Sequence, residues 1–276
     1  MAESLSVVTE ARDLNVDLSF KENTVKTSRW RAAGVHLALS MGVALAVSLF
    51  IVFVWYPGPL FNSSGGKLLL ALVIGVDMCI GPLATLVIFN PEKQRKLLVL
   101  DLTVIAILQV SALAYGLFAT FEGRPVYVAY GQGYFVAVSA NQLDEGMLNA
   151  AANPDYKTLP VFGPRWVGTK EPSDPQEKSD LNFNLGMTGM GIHYLPKYYV
   201  GLADVESDMA RLAKPIRQLR ERHPEASAEI DRALARAGHV EGDVGFIPLK
   251  ARQKMLTVMV DSHSGKILDT LAIEPG

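Results

Sequence analysis

Three long runs of apolar residues dominate the first 120 residues of the 276-residue chain. The runs cover 35–54, 68–89 and 97–118. The length of each run is close to the roughly 20 residues that an α-helix needs to cross the hydrocarbon core of a bilayer. Trp30 precedes the first run and Trp55 follows it, as aromatic residues do at membrane interfaces. The pattern predicts a polar cytoplasmic tail over 1–29 and a transmembrane domain of three helices over 30–120.

The second run contains two interruptions of its apolar pattern. Asp77 lies near the middle of the run, and the Gly81-Pro82 step follows four residues later. Hydrocarbon tolerates neither an unpaired carboxylate nor a backbone carbonyl that has lost its hydrogen bond. This helix must therefore face protein on at least one side. Asp77, Gly81 and Pro82 are candidate contacts for a partner helix.

Other polar residues in the apolar runs fall where they can pair. The second and third runs are joined by a short connection, so their helices should be antiparallel. In a regular antiparallel pair, the numbers of two residues at equal depth in the membrane should then add up to about 186. This register pairs Asp77 with Gln109 and Thr85 with Asp101, and His36 of the first run is level with Asp101. Such groups either only hold the three helices together or form a binding face, and Asp101 can also extend to the membrane interface.

Small residues form a strip along one side of the first predicted helix. The strip consists of Gly34, Ala38, Gly42 and Ala46, which recur every four positions. Small side chains let a second helix approach closely. This strip is therefore another candidate contact for a partner helix.

Basic residues near the ends of the runs predict the orientation of the chain. One side of the membrane has Lys21, Lys26, Arg29, Arg31, Lys93, Arg95 and Lys96, whereas the other has only Lys67 and Arg124. Cytoplasmic segments carry the excess of Lys and Arg. We therefore expect a cytoplasmic N-terminus and, after three spans, a C-terminal domain on the opposite side, which is the periplasm in a bacterium.

The remaining residues, 124–276, have the size and patterning of one α+β domain. Alternating segments predict two hairpins, Val126–Tyr130 with Tyr134–Val138 and Lys254–Val260 with Lys266–Ile273. Between the hairpins, a helical pattern from Asp204 to Arg222 should bend or split at Pro215. A further helix should end near Gly238, and the proline-rich stretch 153–180 is expected to be a long loop.

Composition and motifs argue against several function classes. The chain is 49% hydrophobic with a mean hydropathy of +0.20, and its net charge of −2 offers no electrostatic basis for nucleic-acid binding. The single cysteine, Cys79, excludes a disulfide framework or cysteine-based zinc site within one chain. The histidines lack the spacing of a metal site, and no nucleophile motif is present. We expect no enzymatic activity, no cofactor and no metal.

Several ordered motifs resemble a known family. They are Ser28-Arg-Trp-Arg-Ala-Ala-Gly-Val-His36, Trp55-Tyr-Pro-Gly-Pro-Leu60, Gly75-Val-Asp77, Gly81-Pro-Leu83, Phe89-Asn-Pro91, Leu100-Asp-Leu102, Tyr115-Gly116, Arg124-Pro-Val-Tyr127 and Phe246-Ile-Pro-Leu249. Together they resemble the TfpX/TfpZ-type type IV pilin accessory proteins over roughly residues 28–276. The first 27 residues extend beyond the usual start of that family.

The resemblance implies a bacterial inner-membrane protein that is encoded with a pilin and helps the pilin reach or act in the pilus. It implies no catalytic residues. The expected function is that of a non-enzymatic accessory factor that supports pilin stability, assembly or pilus function. Its expected partners are the major pilin, the pilus assembly machinery and membrane lipid. Two alternatives stay open: a pilin-modifying membrane enzyme and a membrane-tethered periplasmic sensor.

Overall fold

The computed structural model describes residues 29–90 and 92–276, apart from the side chains of Val76 and Asp77. The predicted tail, 1–29, lies outside the described residues except for Arg29. Two compact units are present. The helical unit comprises the described residues up to Ser48 and Leu70–Phe118, and the sheet unit comprises Leu49–Leu69 and Ala119–Gly276. The predicted division into 1–29, 30–120 and 124–276 stays a prediction.

Within the described residues, three helices are long and apolar enough to cross a membrane, which confirms the three predicted apolar helices. Up to Gly123, the helices described are α1 (Arg29–Trp55), the short α2 (Leu60–Ser63), α3 (Gly66–Ile88) and α4 (Arg95–Gly123). The long ones, α1, α3 and α4, have 27, 23 and 29 residues. They exceed the apolar runs because flanking residues such as Trp30 and Arg95 continue the helical backbone.

The sheet unit contains a single sheet of eight strands. The strands are β1 (Pro125–Gly131), β2 (Tyr134–Ser139), β3 (Arg165–Thr169), β4 (Tyr199–Val200), β5 (Lys214–Pro215), β6 (Val244–Lys250), β7 (Met255–Asp261) and β8 (Ile267–Leu271). Their order is β4-β3-β1-β2-β6-β7-β8, with β5 also paired to β6. β1–β3 and β2–β6 are parallel, and the other pairs are antiparallel.

Five further helices belong to the sheet unit. They are α5 (Glu145–Asn149), α6 (Pro175–Thr188), α7 (Glu206–Leu212), α8 (Ile216–Arg222) and α9 (Ser227–Ala237). Helices and a sheet in one unit confirm a sheet-containing domain of mixed α and β structure. The predicted split at Pro215 is also confirmed, because β5 separates α7 from α8 there. Gly238, in the left-handed conformation, ends α9 as predicted.

Both predicted hairpins are confirmed. β1 and β2 pair up to Gly131 and Tyr134, and the two residues between them have positive φ angles of 52° at Gln132 and 83° at Gly133. Positive φ at both central positions matches the right-handed twist of the strands. β7 and β8 form the second hairpin at the end of the chain.

The long loop predicted over 153–180 is wrong. This stretch contains β3, which lies inside the sheet beside β1, and the beginning of α6. β3 is short and starts with Arg165, so its pattern is weak, and its conformation depends on its pairing with β1. α6 begins at Pro175 because the Asp174 side chain accepts a hydrogen bond from the Gln176 N–H.

The end of α1, the short α2, the start of α3 and the end of α4 belong to the sheet unit. Leu60 belongs to the same buried cluster as Val128 of β1 and Ile247 of β6. The Tyr56 hydroxyl donates to the Thr120 carbonyl at 3.1 Å, and burial raises the pKa of Tyr56 to about 12. These contacts fix the segments that follow α1 and α4.

The turn between β7 and β8 generates a prediction about stability. Gly265 has a φ of 76°, and a Cβ at this position would lie 1.8 Å from the Glu206 carbonyl oxygen. We expect Gly265→Ala to lower the free energy of unfolding by well over about 1 kcal/mol, because it adds a clash to an unfavourable φ. Each kcal/mol should lower the midpoint of thermal unfolding, measured on the full chain in detergent, by about 2–4 °C.

Two glycines of the same unit serve as controls. Gly238 has a positive φ but open space, so Gly238→Ala should cost only about 1 kcal/mol. Gly242 has neither constraint, and Gly242→Ala should leave the midpoint nearly unchanged. Equal midpoints for all three variants would contradict the close approach at Gly265.

Candidate functional site

One histidine links the three long helices of the helical unit. The His36 Nδ1 of α1 is 2.6 Å from the Thr85 hydroxyl of α3, and its Nε2 is 2.8 Å from the Gln109 Oε1 of α4. A neutral imidazole with its proton on Nε2 satisfies both contacts, since Nε2–H donates to Gln109 and Nδ1 accepts from Thr85. Thr85 is buried, and the other two side chains are half-buried. We call these three residues the polar triad.

Gly81 makes room for the polar triad. A Cβ at Gly81 would lie 1.9 Å from the Gln109 Nε2 and 2.9 Å from the His36 Nε2. Gly81 is itself buried within the chain, and its predicted role as a contact for a partner helix stays a prediction. Within the chain, its role is internal packing. Pro82 next to it is half-buried inside α3.

The predicted pair of Thr85 and Asp101 is also wrong. Thr85 binds His36, whereas the Asp101 carboxylate accepts from Lys93 at 2.6 Å. The predicted register assumed that the numbers of two residues at equal depth add up to 186. In the structure, Gly81 lies against Gln109 and Gly116 lies against Val73, and these pairs of residue numbers add up to 190 and 189. The antiparallel helices are therefore shifted by about one turn, which is 3.6 residues.

Two predictions about Asp77 remain untested. The side chain of Asp77 lies outside the described residues, so its pairing with Gln109 and its contact with a partner stay predictions. His36 was expected to be level with Asp101, and the observed partners of His36 on α3 and α4 are instead Thr85 and Gln109.

The strip of small residues lies on an exposed side of α1. All four of its members are exposed, and a Cβ at Gly34 or Gly42 would have no neighbour within 4 Å. The side of α1 that packs inside the unit instead carries Ala33, Ser40 and Ala44, which are buried. The strip therefore contributes nothing to the internal packing described here and is available for a contact elsewhere.

A groove of about 690 Å³ runs along the helical unit beside the polar triad. Its α1 wall includes Val35, Leu39 and Val43, and its α4 wall includes Ala106 and Val110. The remaining lining residues are Arg31, Ala32, His36, Ser40, Thr85, Phe89, Leu102, Gln109 and Leu113. The groove has apolar walls, the polar triad on its surface and one guanidinium, and we call it the helical groove.

The helical groove and the small strip are separate surfaces. None of the four strip residues lines the groove. With 100° between successive residues of a helix, the strip lies about a quarter of a turn around α1 from the groove-lining side. A partner helix could use either surface, and only the groove also offers hydrogen-bonding groups.

The helical groove offers hydrogen-bonding groups to a molecule that occupies it. His36, Thr85 and Gln109 carry groups that can exchange hydrogen bonds with a polar group in the groove. Among the described residues, no group of three His, Cys, Asp or Glu side chains could hold a metal ion.

Comparison with known proteins gives the chain its family. A family model described as "Fimbrial assembly protein FimB" matches residues 25–65. A Dichelobacter nodosus protein described as "Fimbrial assembly protein, serogroups C1 and C2" is 38% identical over 100 residues, covering 76% of that protein and 36% of this chain. This chain belongs to the FimB family of fimbrial assembly proteins.

Two further relatives extend the similarity along this FimB-family chain. Dichelobacter nodosus proteins described as "Fimbrial assembly protein", of serogroup E1 and serogroup I, are each 26% identical over 245 residues. The alignments cover 88% of this chain and 95% of each relative, so they include the long helices and the sheet unit. No solved structure matches the chain. The finer resemblance to TfpX/TfpZ-type proteins stays a prediction.

The sequence of the FimB-family protein did not predict which residues form the walls of the helical groove. Val35, Leu39, Val43, Ala106 and Val110 are ordinary apolar residues in apolar helices, and no pattern distinguishes them from lipid-facing neighbours. His36 was recognised as polar, but its central position was not. The depth of α1 relative to α3 depends on the connection between them, and the sequence does not specify how that connection folds.

A matched pair of glycines in α3 tests the packing of the polar triad. Gly81→Ala should lower the free energy of unfolding by about 1–3 kcal/mol, because the added methyl group displaces the Gln109 amide from His36. Gly75→Ala should change it by less than about 0.5 kcal/mol, because Gly75 has nothing within 4 Å. Unfolding of each full-length variant in detergent, compared with that of the natural chain, measures both changes in the free energy of unfolding.

A double variant shows whether the cost of Gly81→Ala comes from the clash with Gln109 or from a general intolerance of α3 to a larger side chain at this position. If the methyl group acts through the Gln109 side chain, Gly81→Ala should cost much less in a Gln109→Ala background than in the natural chain. An unchanged cost in that background would contradict the contact between Gly81 and Gln109.

Proposed function

We propose that this FimB-family protein is a non-enzymatic membrane accessory factor that binds a type IV pilin and supports its assembly into fimbriae. The observation that carries this proposal is the similarity to fimbrial assembly proteins over 95% of their length. Because the alignment includes both units, the proposal assigns the role to the complete chain rather than to one motif. The TfpX/TfpZ-type resemblance supports the same assignment.

The proposed location is a bacterial inner membrane crossed by α1, α3 and α4. The N-terminus and the connection between α3 and α4 face the cytoplasm, and the sheet unit is periplasmic. This orientation rests on the excess of Lys and Arg at one end of the helices. Lys93 in that connection binds Asp101 at 2.6 Å, so the only described acid of α4 in its first two turns is satisfied close to the proposed cytoplasmic interface.

The helical groove is the proposed docking site for the hydrophobic helix of the pilin. In a bilayer, apolar walls alone give little preference for a partner over lipid, because lipid tails are equally apolar. Shape and hydrogen bonds must supply the preference. The groove supplies both, since it is concave and the half-buried His36 and Gln109 of the polar triad lie between its walls.

The triad suits a polar group on the partner helix. His36 contacts both Thr85 and Gln109, so each of its ring nitrogens already has a partner. A polar group on the pilin helix could join this network at a gain of roughly 1 kcal/mol per hydrogen bond. An acidic group would also be attracted by Arg31 at one end of the groove. The small strip of α1 provides a second surface along which a helix can approach closely.

Filling the groove should impair fimbriation. Ala106→Trp places a large side chain in the groove and should abolish most surface fimbriae while the protein remains in the membrane at normal levels. Ala114→Trp is the matched control, because Ala114 is also an exposed alanine of α4 but does not line the groove. Sheared fimbriae per cell give the measurement, and equal loss in both variants would contradict docking in the groove.

Site-specific photocrosslinking tests the partner directly. Val35 lines the groove and is 62% exposed, whereas Val87 of α3 is 78% exposed and lies outside it. Both valines lie near the proposed cytoplasmic ends of their helices. A crosslinking amino acid at Val35 should capture the pilin, and one at Val87 should capture little. Capture of lipid alone at both positions would contradict the proposed pilin site.

The absence of a chemical step is part of the proposal. The intact mass of pilin from cells that lack this protein should equal that of pilin from cells that contain it. A mass difference would favour a pilin-modifying enzyme instead. Co-purification of pilin with the natural chain, together with unchanged pilin mass, would separate a binding factor from an enzyme.

A further inference from the structure

The loop 157–164 of the sheet unit exposes two apolar side chains side by side. Val161 is 49% exposed and Phe162 is 74% exposed. Single exposed apolar residues are common and carry no meaning by themselves. The position of this loop within the sheet unit is what distinguishes it.

The loop is attached next to the end of α1. A Cβ on Gly163 would lie 3.5 Å from the carbonyl oxygen of Val54, within the last turn of that helix. Val54 belongs to the segment that is apolar enough to cross a membrane, and its neighbour Phe53 is 72% exposed. The residue that directly follows Phe162 therefore lies beside the last turn of α1.

A buried arginine fixes the other side of the loop. Arg124, which directly follows α4, donates from Nη2 to the Pro160 carbonyl at 3.0 Å and from Nη1 to the Phe121 carbonyl at 2.5 Å. Its guanidinium lies over the Phe121 ring, 3.4 Å from the centroid, and Arg124 is 2% exposed. Burial lowers the pKa of Arg124. The loop is thus tied to the residues that follow the last membrane-crossing helix.

We infer that Val161 and Phe162 insert into the lipid bilayer at its interface on the side of the sheet unit. Phe is among the apolar residues that bury at the boundary between headgroups and acyl chains, where the ring meets lipid and the backbone stays near the headgroups. The inserted loop would continue the lipid-facing surface of α1 beyond the helix. This inference rests on the proposed crossing of the membrane by α1, α3 and α4.

The single cysteine of the chain makes a depth measurement possible. In a Cys79→Ala background, one cysteine is introduced at Phe162 and labelled with a nitroxide, in the full chain in liposomes. Power saturation then compares collisions with oxygen, which concentrates in lipid, and with a water-soluble nickel chelate. We expect the ratio of oxygen to nickel collisions at position 162 to be several-fold above that of a water-exposed position.

Three further label positions act as references. Val87 of α3 is the lipid reference, and Val240, which is 67% exposed between α9 and β6, is the water reference. Lys157 is exposed in the same loop and should be more accessible to nickel than position 162. Val161→Cys is the second test position in case the label at 162 disturbs the loop, and it should also be shielded from nickel.

The outcomes distinguish this inference from the proposed function. A lipid-like ratio at 87 with water-like ratios at 161 and 162 would overturn the insertion of the loop and leave the membrane crossing intact. A water-like ratio at 87 would overturn the membrane crossing and this inference with it. Lipid-like ratios at 87 and 162 with water-like ratios at 157 and 240 support the insertion.

Discussion

A polar side chain in an apolar helix bundle needs a partner on a neighbouring helix, and His36 meets this need twice. Its two ring nitrogens contact Thr85 of α3 and Gln109 of α4, so one side chain sets the contacts among all three long helices. The contact also depends on Gly81, because a side chain there would occupy the place of the Gln109 amide. A hydrogen-bonded histidine and a glycine are thus complementary parts of the same packing arrangement.

The same arrangement leaves a surface for a partner. α1 and α4 line a groove beside the polar triad, and its apolar walls come from residues such as Val35 and Val110. In lipid, association depends on close packing and hydrogen bonds rather than on removal of apolar surface from water. A concave surface with polar groups can therefore select a helix, whereas an apolar ridge would not. This is the physical link between the polar triad and the proposed role of the FimB-family protein in pilin assembly.

The sheet unit includes the segments that follow α1 and α4. Leu60 packs in the core of the sheet, the Tyr56 hydroxyl donates to the Thr120 carbonyl, and Arg124 donates to the Pro160 carbonyl. These buried contacts hold both segments within the sheet unit. An inserted Phe162 would add a contact with lipid to the same region.

The sequence by itself determined the three long helices, both hairpins and the break at Pro215, and only the tertiary structure decided which residues are neighbours. The length of the apolar runs predicted three helices, strand alternation predicted both hairpins, and Pro215 predicted the break between α7 and α8. The pairing of Thr85 with Asp101 failed because a helix that is apolar on nearly all sides carries little information on its rotation or register. For the same reason the sequence could not show which apolar residues line a groove. The weak strand β3 was missed because its conformation depends on hydrogen bonds to β1, a partner distant in the chain.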